Sequence, residues 1–385
     1  MTTIEIIFWF SLFAVFYAYL GYPALLWLLA LIKNDPVKKD NITPSVSLVI
    51  SVYNEEKVLF RKIENALKLD YPKDFLEIAI ISDGSTDGTN SIIQEYAERE
   101  NKIIPCIVPT NKGKTSCLND FVPKLRGEIV FFSDANSFYD KDLILKTVRS
   151  FADERVGFVT GSTKYFTSFK DKVTEATTLY SSLERLTKTL ESKIGSCVGA
   201  DGAIFAIRKA LFSPMNPYDI NDLVIPLMIV KKGCRGVLEE LAFCKEETAE
   251  EIKSEFQRQV RITNRTLRAL VNYKSLLNPF HYTLFSFEIF SHKLMKFMTP
   301  FWMILILITN VLLAWEGTLF YVGTLIIQLL FYTVALSRGA RKGRTTVARF
   351  IGIFHAFVLV NAAYALGWFK YFTGKKYTTW PPVRK

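Results

Sequence analysis

The chain has 385 residues, a formal net charge of +11, 50% apolar residues and 22% charged residues. That composition excludes a disordered chain, a collagen-like repeat and a disulfide-stapled miniprotein. The apolar residues gather at the two ends, which argues against a uniformly soluble globule.

Four stretches lack Asp, Glu, Lys and Arg: 6–32, 297–315, 317–337 and 350–369. A bilayer core about 30 Å thick needs roughly 20 apolar residues as a helix, so all four are long enough. The first is too long for a cleaved signal peptide and carries Glu5 rather than basic residues at its front. Residues 1–33 therefore read as a retained anchor. From 34 to 273 the pattern changes. β-rich runs at 46–52, 76–82, 102–108 and 128–133 alternate with helical patterns at 55–67, 86–99, 115–125 and 141–151. This alternation predicts a mostly parallel sheet with helices on both faces. A further strand is expected at 203–207 and a helix over 223–230. Residues 284–296, which mix Phe285, Phe287 and Phe290 with Lys293 and Lys296, predict an interfacial helix within 274–296. A transmembrane hairpin follows over 297–337.

Positive charge stays on the cytoplasmic side of a membrane. Arg338, Arg341, Lys342 and Arg344 follow the hairpin, and Lys370, Lys375, Lys376, Arg384 and Lys385 close the chain, with no acid among either group. Both regions are expected in the cytoplasm. The hairpin then goes out and comes back. The last apolar stretch, within 347–372, is expected to lie at the interface or to re-enter rather than cross, leaving 373–385 as a cytosolic tail. The net positive charge suits anionic headgroups of membrane lipids, and no recognition motif points to nucleic acid. The five cysteines form no C-x-x-C pair, so a Cys/His zinc site is not expected and a reducing compartment fits.

Ligands of such sheets sit beyond the carboxyl ends of the strands. That rule selects Tyr53-Asn54-Glu55, Asp83-Gly84-Ser85, Asn111-Lys112-Gly113-Lys114 and Asp134-Ala135-Asn136. Asp83 can accept from the imide or amine edge of a base. Lys112 and Lys114, near a helix start, can meet phosphate charge. Asp134 and Asn136, at i and i+2, can point two oxygens at one divalent cation, Mg2+ or Mn2+, that bridges phosphates. Taken singly, residues 83–85 also read as a turn and Asp134 as a helix cap; in this order they read as a site for a nucleotide with a phosphate tail. No G-x-G-x-x-G follows the first strand and no G-x-x-x-x-G-K-[ST] occurs, which excludes NAD enzymes and P-loop NTPases.

Over SLVISVYNEE, IAIISDGSTDGT, NKGKTSCLND, IVFFSDANSFYD, GADGAIFAIRKALF, NDLVIPLMIVKKGCR and EFQRQVRI the sequence resembles the membrane-bound family 2 glycosyltransferases, relatives of the hyaluronan, cellulose and poly-N-acetylglucosamine synthases. The resemblance covers 46–270. It implies an α/β architecture: a Rossmann-like GT-A cytosolic domain with N- and C-terminal transmembrane helices and interfacial helices. It also implies a nucleotide-diphospho-sugar donor, with UDP the expected nucleotide, a divalent cation, and inversion at the sugar. On it, Tyr53, Asn54, Glu55 and Asp83 lie at the nucleoside and Lys112 and Lys114 at the donor. Asp134 and Asn136 take the D-x-D position, Asp222 is the catalytic base, and Asp201 and Gly202 face the acceptor.

Three departures stand out. Asn136 replaces the second acid of D-x-D and lowers the charge offered to a cation. Asn221 stands where an acid usually precedes the base. The Q-x-x-R-W region reads Arg258-Gln259-Val260-Arg261-Ile262: Arg258 and Arg261 can still clamp a diphosphate, but the tryptophan that stacks on a polymer is missing. In the tail, residues 378–384 resemble a W-x-x-R gating segment with one extra residue, so Trp380 is expected near the donor and Arg384 on phosphate.

Three expected spans cannot enclose a sugar channel alone. Either a homo-oligomer or a partner membrane subunit completes it, or the acceptor is lipid-linked. The sequence thus predicts an integral protein of a bacterial-type inner (plasma) membrane with a cytoplasmic catalytic domain. It would pass sugars to a growing polysaccharide or lipid-linked acceptor. The alternative is an inactive nucleotide-sugar-binding scaffold. A transporter does not fit spans without paired charges.

Overall fold

A computed structural model describes residues 1–166, 172–247, 252–337 and 346–379. The chain opens with α1 (Thr3–Phe16), a π-helical turn (Tyr17–Gly21) and α2 (Tyr22–Ile32). Thr2 and Glu5 form a capping box that starts α1.

The central domain follows. Its strands are β1 (Val46–Val52), β2 (Leu76–Asp83), β3 (Ile103–Val108), β4 (Ile129–Asp134), β5 (Ser137–Tyr139), β6 (Val156–Phe166), β7 (Ile204–Arg208) and β8 (Arg235–Glu247). The helices are α3 (Glu56–Leu67), α4 (Thr89–Arg99), α5 (Lys114–Phe121), α6 (Leu143–Val148), α7 (Lys172–Ile194), α8 (Asn221–Lys231) and α9 (Ile252–Asn272). The eight strands form one sheet in the order β3-β2-β1-β4-β7-β6-β8-β5. β1 to β4 run parallel, as the alternation predicts. Every residue of β1 and β2 is buried, because helices cover both faces.

The second half of the sheet is mixed. β7 is antiparallel to β4 and β6, β6 is parallel to β8, and β5 is antiparallel to β8. The sequence reading did not anticipate β5, β6, β8 or α7. β8 carries Glu239, Glu240, Lys245, Glu246 and Glu247 among its apolar residues, which blurs a period of two. The helix expected from residue 86 begins at Thr89, because Asp87 turns back to accept from the Thr89 backbone N–H at 3.1 Å.

After the sheet come α10 (Pro279–Ile289), a second π-helical turn (Phe290–Leu294), α11 (Met295–Trp315), α12 (Leu319–Leu336) and α13 (Thr346–Phe372). Among the described residues, four helical runs are long and apolar enough to cross a membrane: Thr3–Ile32, Pro279–Trp315, Leu319–Leu336 and Phe350–Phe372. Residues 284–296, expected as an interfacial helix, continue through the π turn into α11. Phe285, Ile289 and His292 there are buried against the protein rather than turned to lipid. The charges find carboxylates on α7: His292 Nε2 lies 3.0 Å from Glu184, His292 Nδ1 2.7 Å from Glu191, and Lys296 Nζ 3.1 Å from Glu184. Tyr22 of the first anchor donates to Glu191 at 2.8 Å.

The last helix crosses one end of the hairpin. Near its start, Phe354 packs on Phe331 and His355 Nδ1 hydrogen bonds to the Ala335 carbonyl at 2.7 Å, at the end of α12. Farther on, Tyr364 packs on Phe297, and Trp368 donates to the Phe297 carbonyl at 2.9 Å, at the start of α11. Those two places are the same end of an antiparallel hairpin. Gly367 lets α13 lie directly on α9, since a Cβ there would fall 2.6 Å from Thr263 Cβ. A Gly367→Val substitution is therefore expected to cost about 1–3 kcal/mol and to lower the Tm in detergent, with faster proteolysis of the tail. An unchanged Tm and tail would contradict this packing.

Candidate active site

The carboxyl ends of β1, β2 and β4 lie side by side, with Val52 registered to Ser82 and Ser51 to Asp134. Tyr53 is half-buried in the loop after β1. Asn54 takes a left-handed φ of 54°, and its Oδ1 accepts from the Thr86 N–H at 2.8 Å. The Glu55 N–H donates to Thr89 Oγ1 at 3.0 Å. These bonds stitch the first loop to the second. Asp83 is 1% exposed. Its two oxygens accept the Lys112 N–H at 2.8 Å and the Gly113 N–H at 2.9 Å. As placed, Asp83 shapes the loop after β3.

The two lysines of that loop divide. Lys112 points outward and pairs with Asp120. Lys114 is mostly buried and its Nζ lies 2.6 Å from Asp134 Oδ1. Asp222, in the first turn of α8, backs onto the Gly199–Gly202 loop: its carbonyl accepts from the Ala200 N–H at 2.8 Å. A Cβ on Gly202 would fall 2.6 Å from Asp222 Oδ2, so Gly202 makes room for that carboxylate. Burial raises the Asp222 pKa, Lys114 and Lys188 oppose the rise, and Asp134 adds to it. Lys114, Asp134 and Asp222 thus form one electrostatic group at the strand ends. A carboxylate with a raised pKa is suited to taking a proton near neutral pH. Asp201 is bound up in its own loop: Thr163 N–H at 2.8 Å, Thr163 Oγ1 at 2.9 Å and Ala203 N–H at 3.2 Å all donate to it.

Beneath the Asp134-Ala135-Asn136 turn lies a cluster that the sequence reading missed. Lys62 is fully buried on α3. Its Nζ donates to Ser133 Oγ at 2.9 Å, to the Ser137 carbonyl and to the Tyr139 hydroxyl. Burial lowers its pKa to about 7. Glu246 on β8 accepts from the Ser137 hydroxyl, and burial with the Asp134 charge raises its pKa to about 7. The available signal was a lysine at the i+3 position after Leu59, on the face that also carries Ile63 and Ala66.

α9 presents Arg258, Arg261, Arg265 and Arg268 at helical spacing. Arg258 pairs with Glu255. Burial, then the Arg258 charge, lowers the Arg261 pKa. Burial and Arg261 lower Arg265 to about 10. Arg265 Nε donates to the Tyr377 carbonyl at 3.0 Å and Arg268 donates to the Lys375 carbonyl at 2.8 Å. The arginines beyond Arg261 therefore hold the tail. The tail in turn lies on the loop after β3: Gly113 has φ +93°, and a Cβ there would collide with the Thr378 carbonyl. Trp380 and Arg384 lie outside the described residues.

A D-x-N turn, a half-buried carboxylate and a lysine thus meet near the ends of parallel strands, in a chain that also carries long apolar helical runs. Residues 47–213 match the model of Glycosyl transferase family 2. The chain is 29% identical over 197 residues to a probable glycosyltransferase, YdaM, of Bacillus subtilis, covering 49% of this chain and 46% of that protein. It is 35% identical over 118 residues to the beta-monoglucosyldiacylglycerol synthase of a Nostoc species, covering 30% of this chain and 25% of the relative. The chain thus matches less than half the length of these two curated relatives. A mannosyltransferase of Pyrobaculum calidifontis, solved with GDP-Man and Mn2+, superposes with a TM-score of 0.75 at 20% identity, over 97% of this chain and 100% of that one. This likeness establishes the GT-A fold.

Two predictions follow from this geometry. Gly113→Ala should free residues 375–379 from the donor loop, seen as faster proteolysis of the tail and a lower turnover; a tail that stays protected would contradict the contact. The second concerns pH. The Lys62 contribution to stability is present above its ordinary 10.5 and lost as pH falls through about 7. The Glu246 contribution is present below its ordinary 4.5 and lost as pH rises through about 7. The Tm of the metal-free protein should therefore gain from Lys62 between pH 7 and 10, and Lys62→Met should flatten that rise. Parallel Tm curves for wild type and variant would contradict it.

Proposed function

We propose that this chain is a membrane-bound inverting glycosyltransferase that moves a sugar from a nucleotide-diphospho-sugar to a saccharide or lipid-linked acceptor on the cytoplasmic side. The observation that carries this reading is the grouping of Lys114, Asp134 and the half-buried Asp222 at the carboxyl ends of β4 and its neighbours. The donor set also suits a divalent cation: Asp134 and Asn136 offer two hard oxygens, and Asp134 already faces the Lys114 ammonium. A cation held there would neutralise charge on the departing diphosphate.

The protein's own groups supply the rest. Asn54, Glu55 and Asp83 set the loops that receive the nucleoside. Lys114 and Arg261 meet the phosphates, in a setting where burial strengthens each charge. Asp222 takes the proton of the acceptor oxygen, which attacks the anomeric carbon from the face opposite the diphosphate and inverts it. UDP is the nucleotide that the family resemblance suggests; the structural neighbour was solved with GDP-Man, so both belong in a donor panel. Ile262, in place of a stacking tryptophan, favours transfer of few sugars over polymer holding. In the membrane, residues 1–33 act as the anchor and 297–337 as a hairpin. The contacts of α13 with a single end of that hairpin support an interfacial helix that does not cross.

Asp222→Asn is expected to lower kcat by about 10²–10⁴-fold with the donor Kd retained, and EDTA to suppress nucleotide release. Wild-type turnover in that variant would contradict the base role; donor binding without turnover in the wild type would favour the scaffold alternative.

A further inference from the structure

The turn that carries Asp134 and Asn136 is short: β4 ends on Asp134, and β5, only three residues long, begins at Ser137. Ser137 pairs with Glu246 at the edge of the sheet. A ladder of that length holds a turn weakly, and here side chains of α3 hold it from below. Lys62 Nζ donates to Ser133 Oγ, on the residue before Asp134, at 2.9 Å. It also donates to the carbonyl of Ser137, the residue after Asn136. Its third bond goes to the Tyr139 hydroxyl, which itself donates to Ser133 Oγ. Ser133 Oγ donates onward to the Asp134 carbonyl at 3.1 Å. A charged lysine has three protons to donate and accepts nothing, so these partners satisfy it fully. On the same helix, Asn65 brackets Tyr139: its amide donates to the Tyr139 carbonyl at 2.9 Å, and its oxygen accepts the Tyr139 N–H at 2.9 Å. α3 starts at Glu56, directly after Asn54 and Glu55. One helix thus ties the loop after β1 to the turn after β4.

We infer that Lys62 is a positioning residue: it fixes the turn from which Asp134 and Asn136 offer their oxygens to a divalent cation. The inference rests on the reading of that turn as a cation site and adds what holds the turn in shape. A fully buried charge is costly, and a methionine fills similar space without that cost. What the lysine adds is a hold on both ends of the turn at once. Two effects of opposite sign meet in this residue. As a bare positive charge, Lys62 repels a cation at Asp134. As a brace, it raises cation affinity, because groups behind metal ligands orient them and typically carry about 10–100-fold in affinity. Its bonds run to the residues on either side of the ligand pair, so the brace is the larger effect. The sign of the change on removing Lys62 therefore separates a brace from a bystander charge.

The test uses the full chain in a non-ionic detergent, just below the value of about 7 to which burial lowers the Lys62 pKa. Mn2+ binding is read from the loss of the free-ion electron paramagnetic resonance signal, without nucleotide and with UDP or GDP. Nucleotide Kd is measured separately in EDTA, where the cation plays no part. Lys62→Met is expected to weaken Mn2+ about 10–100-fold, with the nucleotide Kd in EDTA within about twofold of wild type. A lysine that only supports the fold lowers the Tm and leaves the Mn2+ Kd of the folded protein alone. Unchanged or tighter Mn2+ binding in folded Lys62→Met therefore overturns the inference. If Lys62→Met loses nucleotide binding in EDTA, Ser133→Ala and Tyr139→Phe decide, since each keeps the lysine and removes one of its partners. Weaker Mn2+ binding in both supports the brace, and wild-type Mn2+ binding in both overturns it. No Mn2+ uptake by the wild type, with or without either nucleotide, overturns the cation reading of the turn and the inference with it.

Discussion

The central domain is fastened to the apolar helices by a buried ion contact. Glu184 and Glu191 of α7 reach across to His292, Lys293 and Lys296 at the foot of α11, and Tyr22 of the first anchor closes on Glu191. Removing one partner from such a contact leaves an uncompensated buried charge, typically at about 3–5 kcal/mol. The contact therefore fixes the position of the domain more than it adds to stability. Position is what the site needs. With α7 held at the base of the helices, Asp222 and the Gly199–Gly202 loop face the same cavity as Lys293 and Lys296.

The site then has two sides. The parallel half of the sheet supplies the proposed donor side, because its loops all leave from one edge and tie to each other through Asn54 and Asp83. The antiparallel insertion of β7 brings the 199–202 loop up to Asp222 from the other direction. Gly202 permits that approach. α9 closes the arrangement: Arg265 and Arg268, in the second half of its arginine row, grip the tail backbone. α13 itself lies on α9 at Gly367, so the tail, the loop after β3 and α13 are packed together through α9.

How much of this was legible in the residues differs by region. The first four parallel strands and their helices were, because apolar runs such as 46–52 and 76–82 are short, β-branched and bounded by turn residues. The site segments were legible by rule, since ligands of parallel sheets sit at strand ends. The rest was hidden for physical reasons. β6 and β8 alternate poorly because polar residues such as Thr160 and Glu239 are buried with partners. Residues 284–296 look interfacial in sequence, yet their charges are neutralised by α7, which sequence spacing does not reveal. Lys62 reads as an ordinary surface lysine until its place under Ser133 is seen. Lys114 was selected for phosphate, and its partner Asp134, twenty residues on, was selected for metal; their pairing is a tertiary fact.

The account depends most on the Lys114–Asp134 pair marking the donor phosphates. The direct measurement is a calorimetric titration of the purified full chain with UDP and with GDP, each with and without Mn2+, in wild type and Asp134→Ala. The account predicts that one nucleotide binds, that Mn2+ strengthens it, and that Asp134→Ala removes the metal effect. Binding of neither nucleotide, or binding indifferent to both Mn2+ and Asp134, would contradict it.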